Sequence, residues 1–140
     1  MENVQSTTSN LDCIKGMYES AAIADFPAFL GAMDPAIEWN EAENFPYADR
    51  NPYIGPQAVA EGVFGRIAAD WEYWTLSGLE FHETKTDMII VTGRYNAKHK
   101  ITGKIIKAQF THMWRLKDGK ATSFQQYADT YQVNKAMVNY

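Results

Sequence analysis

One histidine, His112, lies in a segment whose other alternate residues are all hydrophobic. After Lys104, the remaining even positions of residues 104–117 are Ile106, Ala108, Phe110, Trp114 and Leu116. Because successive strand residues point to opposite faces of a sheet, this pattern predicts that the imidazole faces the covered side together with Phe110 and Trp114. There His112 is either a core histidine or a pocket residue. In a pocket, an imidazole with a carboxylate partner titrates near neutrality and serves as a general acid or base.

The candidate carboxylate partner is Asp129, near the end of the last predicted strand. Phe124 occupies an even position, whereas Tyr127 and Asp129 are odd. All three face inward only if a β-bulge intervenes, and bulges are frequent beside functional sites. An inward Asp129 would orient His112 or stabilise its charge. The alternative is that Asp129 only caps the end of its strand.

Two further candidates are a tyrosine and a glutamate on otherwise apolar faces. Tyr18 lies on the apolar face of the first predicted helix, where a phenol is either part of the core or a pocket donor, and needs a hydrogen-bond partner once buried. Glu41 shares a strand face with Ile37 and Trp39. An inward carboxylate is costly unless it is paired or protonated, so Glu41 is either a pocket group or lies past the strand end in water.

Helical patterns dominate the first half of the chain. Ser9 and the apolar spacing that follows predict a helix over residues 11–24. Asp25, with Pro27 two residues later, predicts the start of a second, short helix, and a third is expected from Pro56.

Strand patterns dominate the second half. A short strand is expected over residues 36–41, followed by a proline-rich loop over 42–56 whose length and aromatic content are typical of a binding loop or lid. From about Trp71 the alternation predicts four strands, over residues 75–83, 88–98, 104–117 and 120–130. This order indicates an α+β fold with a curved, mainly antiparallel sheet and helices on one face.

The composition narrows the range of functions. The 140 residues fit one domain, expected at 11–132 between a flexible leader (1–10) and a C-terminal tail (133–140). The net charge of −4, without a basic run, argues against a nucleic-acid partner. The single Cys13 and three scattered histidines provide no metal-ligand spacing, and no phosphate loop or dinucleotide fingerprint is present. We therefore expect no cofactor, no metal and no membrane segment, and a cytoplasmic location.

The aromatic content is high, at 4 Trp, 8 Tyr and 7 Phe. Such an excess builds either a large core or the wall of a small-molecule cavity, and composition alone does not choose between them.

Several short motifs, in order, resemble the nuclear-transport-factor-2-like (NTF2-like) superfamily, and within it the SnoaL-like, ketosteroid-isomerase-related proteins. The resemblance covers nearly all of residues 11–132. It includes Asp25-Phe26-Pro27-Ala28-Phe29-Leu30 and Ile37-Glu38-Trp39. The likeness is especially close at Phe110-Thr111-His112-Met113-Trp114, Asp118-Gly119-Lys120 and Phe124-Gln125-Gln126-Tyr127-Ala128-Asp129-Thr130. It implies a cone-shaped fold in which a strongly bent sheet wraps around three helices and encloses an apolar cavity. It also implies a homodimer formed through the outer sheet face.

The resemblance assigns roles to some residues and leaves one role empty. Tyr18 falls where steroid isomerases keep an oxyanion-hole tyrosine. His112 falls where they keep a protonated aspartic acid and where scytalone dehydratase has a histidine. Asp129 lies near the position of the acid–base aspartate of SnoaL-type cyclases. Trp39 occupies the position of the isomerase base, which argues against steroid isomerisation by the usual proton shuttle.

Three functional hypotheses follow. The first is a cofactor-independent isomerase, cyclase or dehydratase acting on a hydrophobic, carbonyl-bearing small molecule, with His112, Asp129 and Tyr18 as catalytic residues. The residues expected to bind substrate are Trp39, Glu41, Tyr47, Phe110, Trp114 and Tyr127. The second is a non-catalytic binding or carrier protein with the same cavity. A weaker third is a protein-interaction role, like that of the superfamily's transport factor.

Overall fold

The computed structural model describes residues 9–139 and has an α+β architecture. Helix α1 (Asn10–Ala22) and helix α2 (Phe26–Gly31) come first, as predicted. The Ser9 side chain accepts a hydrogen bond from the backbone N–H of Asp12, and the Asp25 side chain accepts one from Ala28. Both caps satisfy N–H groups that the first helical turn leaves unpaired.

The third helix is composite. It begins at Pro56 with α3 (Pro56–Val59), continues through a π-helical turn (Ala60–Phe64), and ends with α4 (Gly65–Asp70). Its beginning agrees with the sequence pattern, and the change to strand periodicity occurs at Trp71 as expected.

Six strands form one curved sheet, with the order β2-β1-β6-β5-β4-β3. They are β1 (Met33–Asn40), β2 (Tyr53–Ile54), β3 (Trp71–Glu83), β4 (Met88–His99), β5 (Ile105–Lys117) and β6 (Lys120–Ala128). Every neighbouring pair is antiparallel except β1 and β6, which are parallel. The predicted α+β class with a mainly antiparallel sheet is therefore confirmed.

The segment predicted as a long loop is more ordered than its prolines indicate. It contains a 3₁₀ turn (Ala48–Arg50) and strand β2, which pairs with β1. Phe45, Tyr47 and Tyr53 are buried. This segment extends the sheet by one strand and contributes aromatic side chains to the core.

The chain beyond β6 forms a fifth helix, α5 (Thr130–Ala136), with Val133 and Ala136 buried. This helix crosses residue 132, where we expect the domain to end. Most of the expected leader lies outside the described residues, and Asn10 is already the first residue of α1. Within residues 9–139, no helix is both long and apolar enough to span a membrane.

Candidate functional site

An apolar cavity of about 750 Å³ lies between the helices and the inner face of the sheet. Volumes in this range hold small organic ligands. Hydrophobic residues of α1, α2 and α4 form one wall, and inward residues of the strands form the other. The buried polar side chains on its wall are Tyr18, Glu41, Tyr95, His112 and Gln126.

His112 lies on the inner face of β5, as the alternation predicts, and is 6% exposed. Each of its ring nitrogens contacts a tyrosine hydroxyl. Nδ1 lies 2.5 Å from the Tyr18 hydroxyl, and Nε2 lies 2.6 Å from the Tyr95 hydroxyl. We call these three residues the tyrosine–histidine chain.

Two further residues, Trp114 and Gln126, donate hydrogen bonds to the hydroxyls at the two ends of the tyrosine–histidine chain. The indole N–H of Trp114 donates to the Tyr18 hydroxyl at 2.9 Å. The side-chain amide of Gln126 donates to the Tyr95 hydroxyl at 2.8 Å, while its oxygen accepts from the backbone N–H of Ala42 at 3.0 Å. Because both ends of the Gln126 amide are engaged, its orientation is determined by its neighbours.

Burial keeps the tyrosine–histidine chain uncharged. Desolvation lowers the pKa of His112 to about 3, so the imidazole is neutral near pH 7. Desolvation also raises the pKa of Tyr18 and of Tyr95 well above their ordinary value. The tyrosine–histidine chain therefore presents neutral hydrogen-bond donors to the cavity.

The predicted pairing of His112 with Asp129 is wrong. Asp129 is the N-cap of α5, and its carboxylate accepts hydrogen bonds from the backbone and side chain of Gln132. The ladder between β5 and β6 is regular from Phe124 to Ala128, so no bulge turns the odd residues inward. Capping, the alternative considered for Asp129, is its observed role, although the element it caps is a helix.

The same regular ladder corrects the position of Tyr127. Its side chain is 53% exposed on the outer face of the sheet, so it does not line the cavity. The inward neighbour is Gln126, which lies directly opposite His112 in the register.

Glu41 is the buried carboxyl group on the cavity wall. It is 2% exposed, and its Oε2 accepts the indole N–H of Trp39 at 2.8 Å. Its Oε1 is buried without a hydrogen-bond partner. Desolvation raises the pKa of Glu41 to about 7, and the Trp39 hydrogen bond and the charge of Arg66 limit that rise. Near neutral pH this carboxyl group is therefore able both to take up and to release a proton.

The other predicted binding residues divide into two groups. Trp39 and Trp114 line the cavity, with ring centroids 5.6 Å apart. Phe110 stacks on the imidazole of His112 at 4.0 Å but lies behind it, outside the cavity wall. Tyr47 is also outside the wall. Its hydroxyl donates to Asp70 at 2.6 Å and accepts from the Trp71 indole.

Two residues of the network escaped the sequence analysis, Tyr95 and Gln126. The alternation of β4 carries a signal for Tyr95, because Ile89, Val91, Tyr95 and Ala97 share its buried face. Gln126 has the same parity as Phe124. The expected bulge obscured that signal, since it assigned the inward direction to Tyr127.

The site combines a proton acceptor with hydrogen-bond donors in a mostly apolar cavity. Glu41 is able to accept a proton from a bound molecule, and the phenols are able to donate hydrogen bonds to an oxygen of that molecule. This combination suits removal of a proton from carbon next to a carbonyl, because the charge that develops on oxygen is stabilised by preorganised donors. Within the described part of the chain, no group of three or more His, Cys, Asp or Glu side chains is arranged to hold a metal ion.

Comparison with solved structures identifies several proteins with a similar overall fold. An NTF2-like protein from Burkholderia thailandensis is 30% identical, with a TM-score of 0.89 over 95% of this chain and 100% of that protein. TerC, crystallised with polyporic acid, is 23% identical, with a TM-score of 0.80 over 91% of this chain and 97% of its own. A protein provisionally named a polyketide cyclase, from Pseudomonas putida, is 9% identical, with a TM-score of 0.81 over 94% of this chain and 100% of that protein. No protein-family model and no curated protein match the sequence.

Proposed function

This chain belongs to the NTF2-like family, and we propose that it is a cofactor-independent enzyme that removes a proton next to the carbonyl of a hydrophobic small molecule. The observation that carries this proposal is the unpartnered, buried Oε1 of Glu41, a residue that lines the same cavity as the tyrosine–histidine chain. Buried carboxyl groups are normally paired, and an unpaired one is a frequent feature of functional sites.

In the proposed reaction Glu41 acts as the base. Its carboxylate takes a proton from carbon, the electron pair of the broken C–H bond forms a C=C bond, and negative charge moves to the carbonyl oxygen. A phenol of the tyrosine–histidine chain donates a hydrogen bond to that oxygen. The hydrogen bond from Trp39 holds Oε2 of Glu41 and leaves Oε1 to react. The tryptophan side chains and the phenylalanines of α2 exclude water and bind the apolar part of the substrate.

Three outcomes are open to the resulting enolate, and they match the reaction classes expected from the sequence. Return of the proton from Glu41 to a different carbon gives isomerisation. Attack of the enolate carbon on a second carbonyl, whose oxygen then takes the proton from Glu41, gives cyclisation. Loss of a neighbouring hydroxyl group, which leaves as water with that same proton, gives dehydration. Of these three reactions, cyclisation of a polyketide-like substrate is supported by the structural similarity to proteins provisionally named polyketide cyclases.

The proposal predicts exchange of the hydrogens next to a ketone. We expect the protein to accelerate deuterium uptake by α-tetralone in D₂O, with a rate that rises as pH increases through about 7 and then levels, because only ionised Glu41 is a base. Glu41→Gln should reduce the catalysed rate by about 100-fold or more, which is the usual effect of removing a general base. Proton NMR measures both rates.

The matched control is Glu19→Gln, since Glu19 is an exposed glutamate of α1. Its exchange rate should equal that of the wild type. Equal exchange by the wild type and Glu41→Gln, together with unchanged binding of the ketone, would contradict the enzyme proposal and favour the binding or carrier protein.

A further inference from the structure

The tyrosine–histidine chain has too few N–H and O–H protons for both phenols to donate to a ligand at the same time. A neutral imidazole carries one N–H, and each phenol carries one O–H, which gives three protons for the chain. Two of these protons occupy the contacts of His112 with Tyr18 and Tyr95. The indole of Trp114 and the amide of Gln126 only donate to the two hydroxyls, so neither takes up the third proton.

The third proton always belongs to a phenol. Where a ring nitrogen carries the hydrogen, it donates to its tyrosine, and that tyrosine keeps its own O–H for another acceptor. At the other nitrogen the lone pair accepts the O–H of the second tyrosine, which is then unavailable. Both phenols are free at once only if both nitrogens carry hydrogen, and burial of the ring opposes that imidazolium form.

We propose that Tyr18 and Tyr95 are alternative hydrogen-bond donors to one ligand oxygen, and that the tautomer of His112 determines which of them donates. Both tyrosines line the cavity. In the proposal, the free O–H donates to the ligand in either state. The assignment of a ketone as the ligand rests on the proposed function. The alternation between Tyr18 and Tyr95 as donors depends only on the contacts that the neutral ring of His112 makes with their hydroxyls.

The alternation gives the cavity two donor positions for one oxygen. With hydrogen on Nδ1 the donor is Tyr18, and with hydrogen on Nε2 the donor is Tyr95. The carbonyl of a substrate is thus stabilised in either of two placements relative to Glu41, and moving between them costs one change of tautomer without any change of charge. His112 acts here as a positioning residue, whereas the phenols contact the substrate.

Fluorenone, a flat aromatic ketone with one oxygen, tests the alternation. Tyr18→Phe and Tyr95→Phe should each bind fluorenone within about threefold of the wild type, because the remaining phenol still donates through the matching tautomer. The double variant should lose about tenfold in affinity, since no phenol donor remains. In the infrared spectrum, the carbonyl stretch should keep its hydrogen-bonded position in both single variants and change position in the double variant, where no phenol donor remains.

Nitrogen NMR of His112 provides a readout that does not depend on affinity. In the wild type at pH 7 we expect one protonated and one bare ring nitrogen. With fluorenone bound, hydrogen should reside on Nε2 in Tyr18→Phe and on Nδ1 in Tyr95→Phe. Circular dichroism confirms that each variant is folded, and the measurement on the wild type requires no variant.

Two results would overturn the alternation: an imidazolium spectrum in the wild type, or losses of affinity in the single variants that add up to the loss in the double variant. These results are separate from failure of the proposed function. If fluorenone binds and the alternation holds while α-tetralone exchange is absent, the cavity is a ketone-binding site without catalysis. If fluorenone does not bind and the NMR spectrum shows two protonated nitrogens, both proposals fall.

Discussion

Glu41 and His112 are both buried, and burial shifts their pKa values in opposite directions because it disfavours the charged form, which is the anion for Glu41 and the cation for His112. For Glu41 the folded-state pKa, about 7, lies above the ordinary value of 4.5. The folded protein therefore binds a proton more tightly than the unfolded chain between these values. Stability arising from this group is highest below pH 4.5 and is lost as pH rises through about 7.

The size of this effect is testable with one variant. Relative to Glu41→Gln, the wild type should lose up to about 3 kcal/mol of unfolding free energy between pH 4.5 and pH 8, since one pKa unit corresponds to about 1.4 kcal/mol. Urea unfolding of both proteins at a series of pH values measures the difference. Comparison with the variant removes the opposite contribution of His112, whose lowered pKa costs stability as pH falls below 6.5. A difference that does not change with pH would mean that Glu41 is solvated.

The inner-face residues were predictable wherever strict alternation holds. His112 and Trp114 were found by parity, and Glu41 was identified as a possible inward group. The second partner of His112, Tyr95, was not predictable in the same way, because it approaches from another strand 17 residues away. Asp129 was misassigned because a carboxylate near a strand end looks the same in sequence whether it faces a pocket or caps the next helix.

At the scale of elements, Gly62 lies in the π-helical turn, where the backbone packs closely against the ring of Tyr53. A Cβ atom at this position would lie 2.3 Å from the ring of Tyr53, which belongs to the short strand β2. The ring is buried, and its hydroxyl donates to the carbonyl of Tyr47, so it has little freedom to move. The absence of a side chain at Gly62 thus allows the composite helix to pack against the segment between β1 and α3.

We therefore expect Gly62→Ala to destabilise the protein by about 1–3 kcal/mol, the usual cost of overpacking. Gly16→Ala is a matched control, because a Cβ there meets no atom within 4 Å. In the middle of α1 that change should stabilise by about 0.5–1 kcal/mol through helix propensity. Thermal unfolding of both variants checks the pair, and equal effects at the two sites would contradict the packing explanation.

The cap of α5 gives a second prediction at this scale. Asp129→Ala removes the hydrogen bond to the Gln132 backbone and should cost about 1 kcal/mol of stability. It should leave the binding of fluorenone and the exchange of α-tetralone unchanged, since Asp129 lies outside the cavity wall. Loss of exchange with normal stability would restore the catalytic role that the structure argues against.

The elements themselves were predicted to different degrees. Helices α1 and α2 and the four long strands follow from local periodicity and caps, and their ends differ from prediction by a few residues. Strand β2 was missed because its two residues, Tyr53 and Ile54, lie between prolines and form a strand only by pairing with β1. The parallel pairing of β1 with β6 depends on residues about 85 positions apart, and no local pattern indicates it.

At the scale of the whole molecule, the outer face of the sheet has an uncharged centre. The outward residues there are Ile90, Thr92, Thr111, Met113, Gln125 and Tyr127. Arg94, Lys107 and Arg115 continue the same outward rows toward the ends of the strands. An uncharged, partly apolar centre with a charged margin is the usual composition of a surface that associates with another protein.

We propose that this centre forms a homodimer, as the family resemblance implies. Met113→Asp should convert the dimer to a monomer, because two copies related by a twofold axis would bury like charges close together. Ile101→Asp is the control, since Ile101 is 84% exposed in the turn between β4 and β5 and lies off this face. Light scattering coupled to size-exclusion chromatography should give twice the chain mass of 15.9 kDa for the wild type and the control. If the wild type has the mass of one chain at high micromolar concentration, the dimer proposal is contradicted. The cavity lies on the opposite face of the sheet and would then function within a single chain.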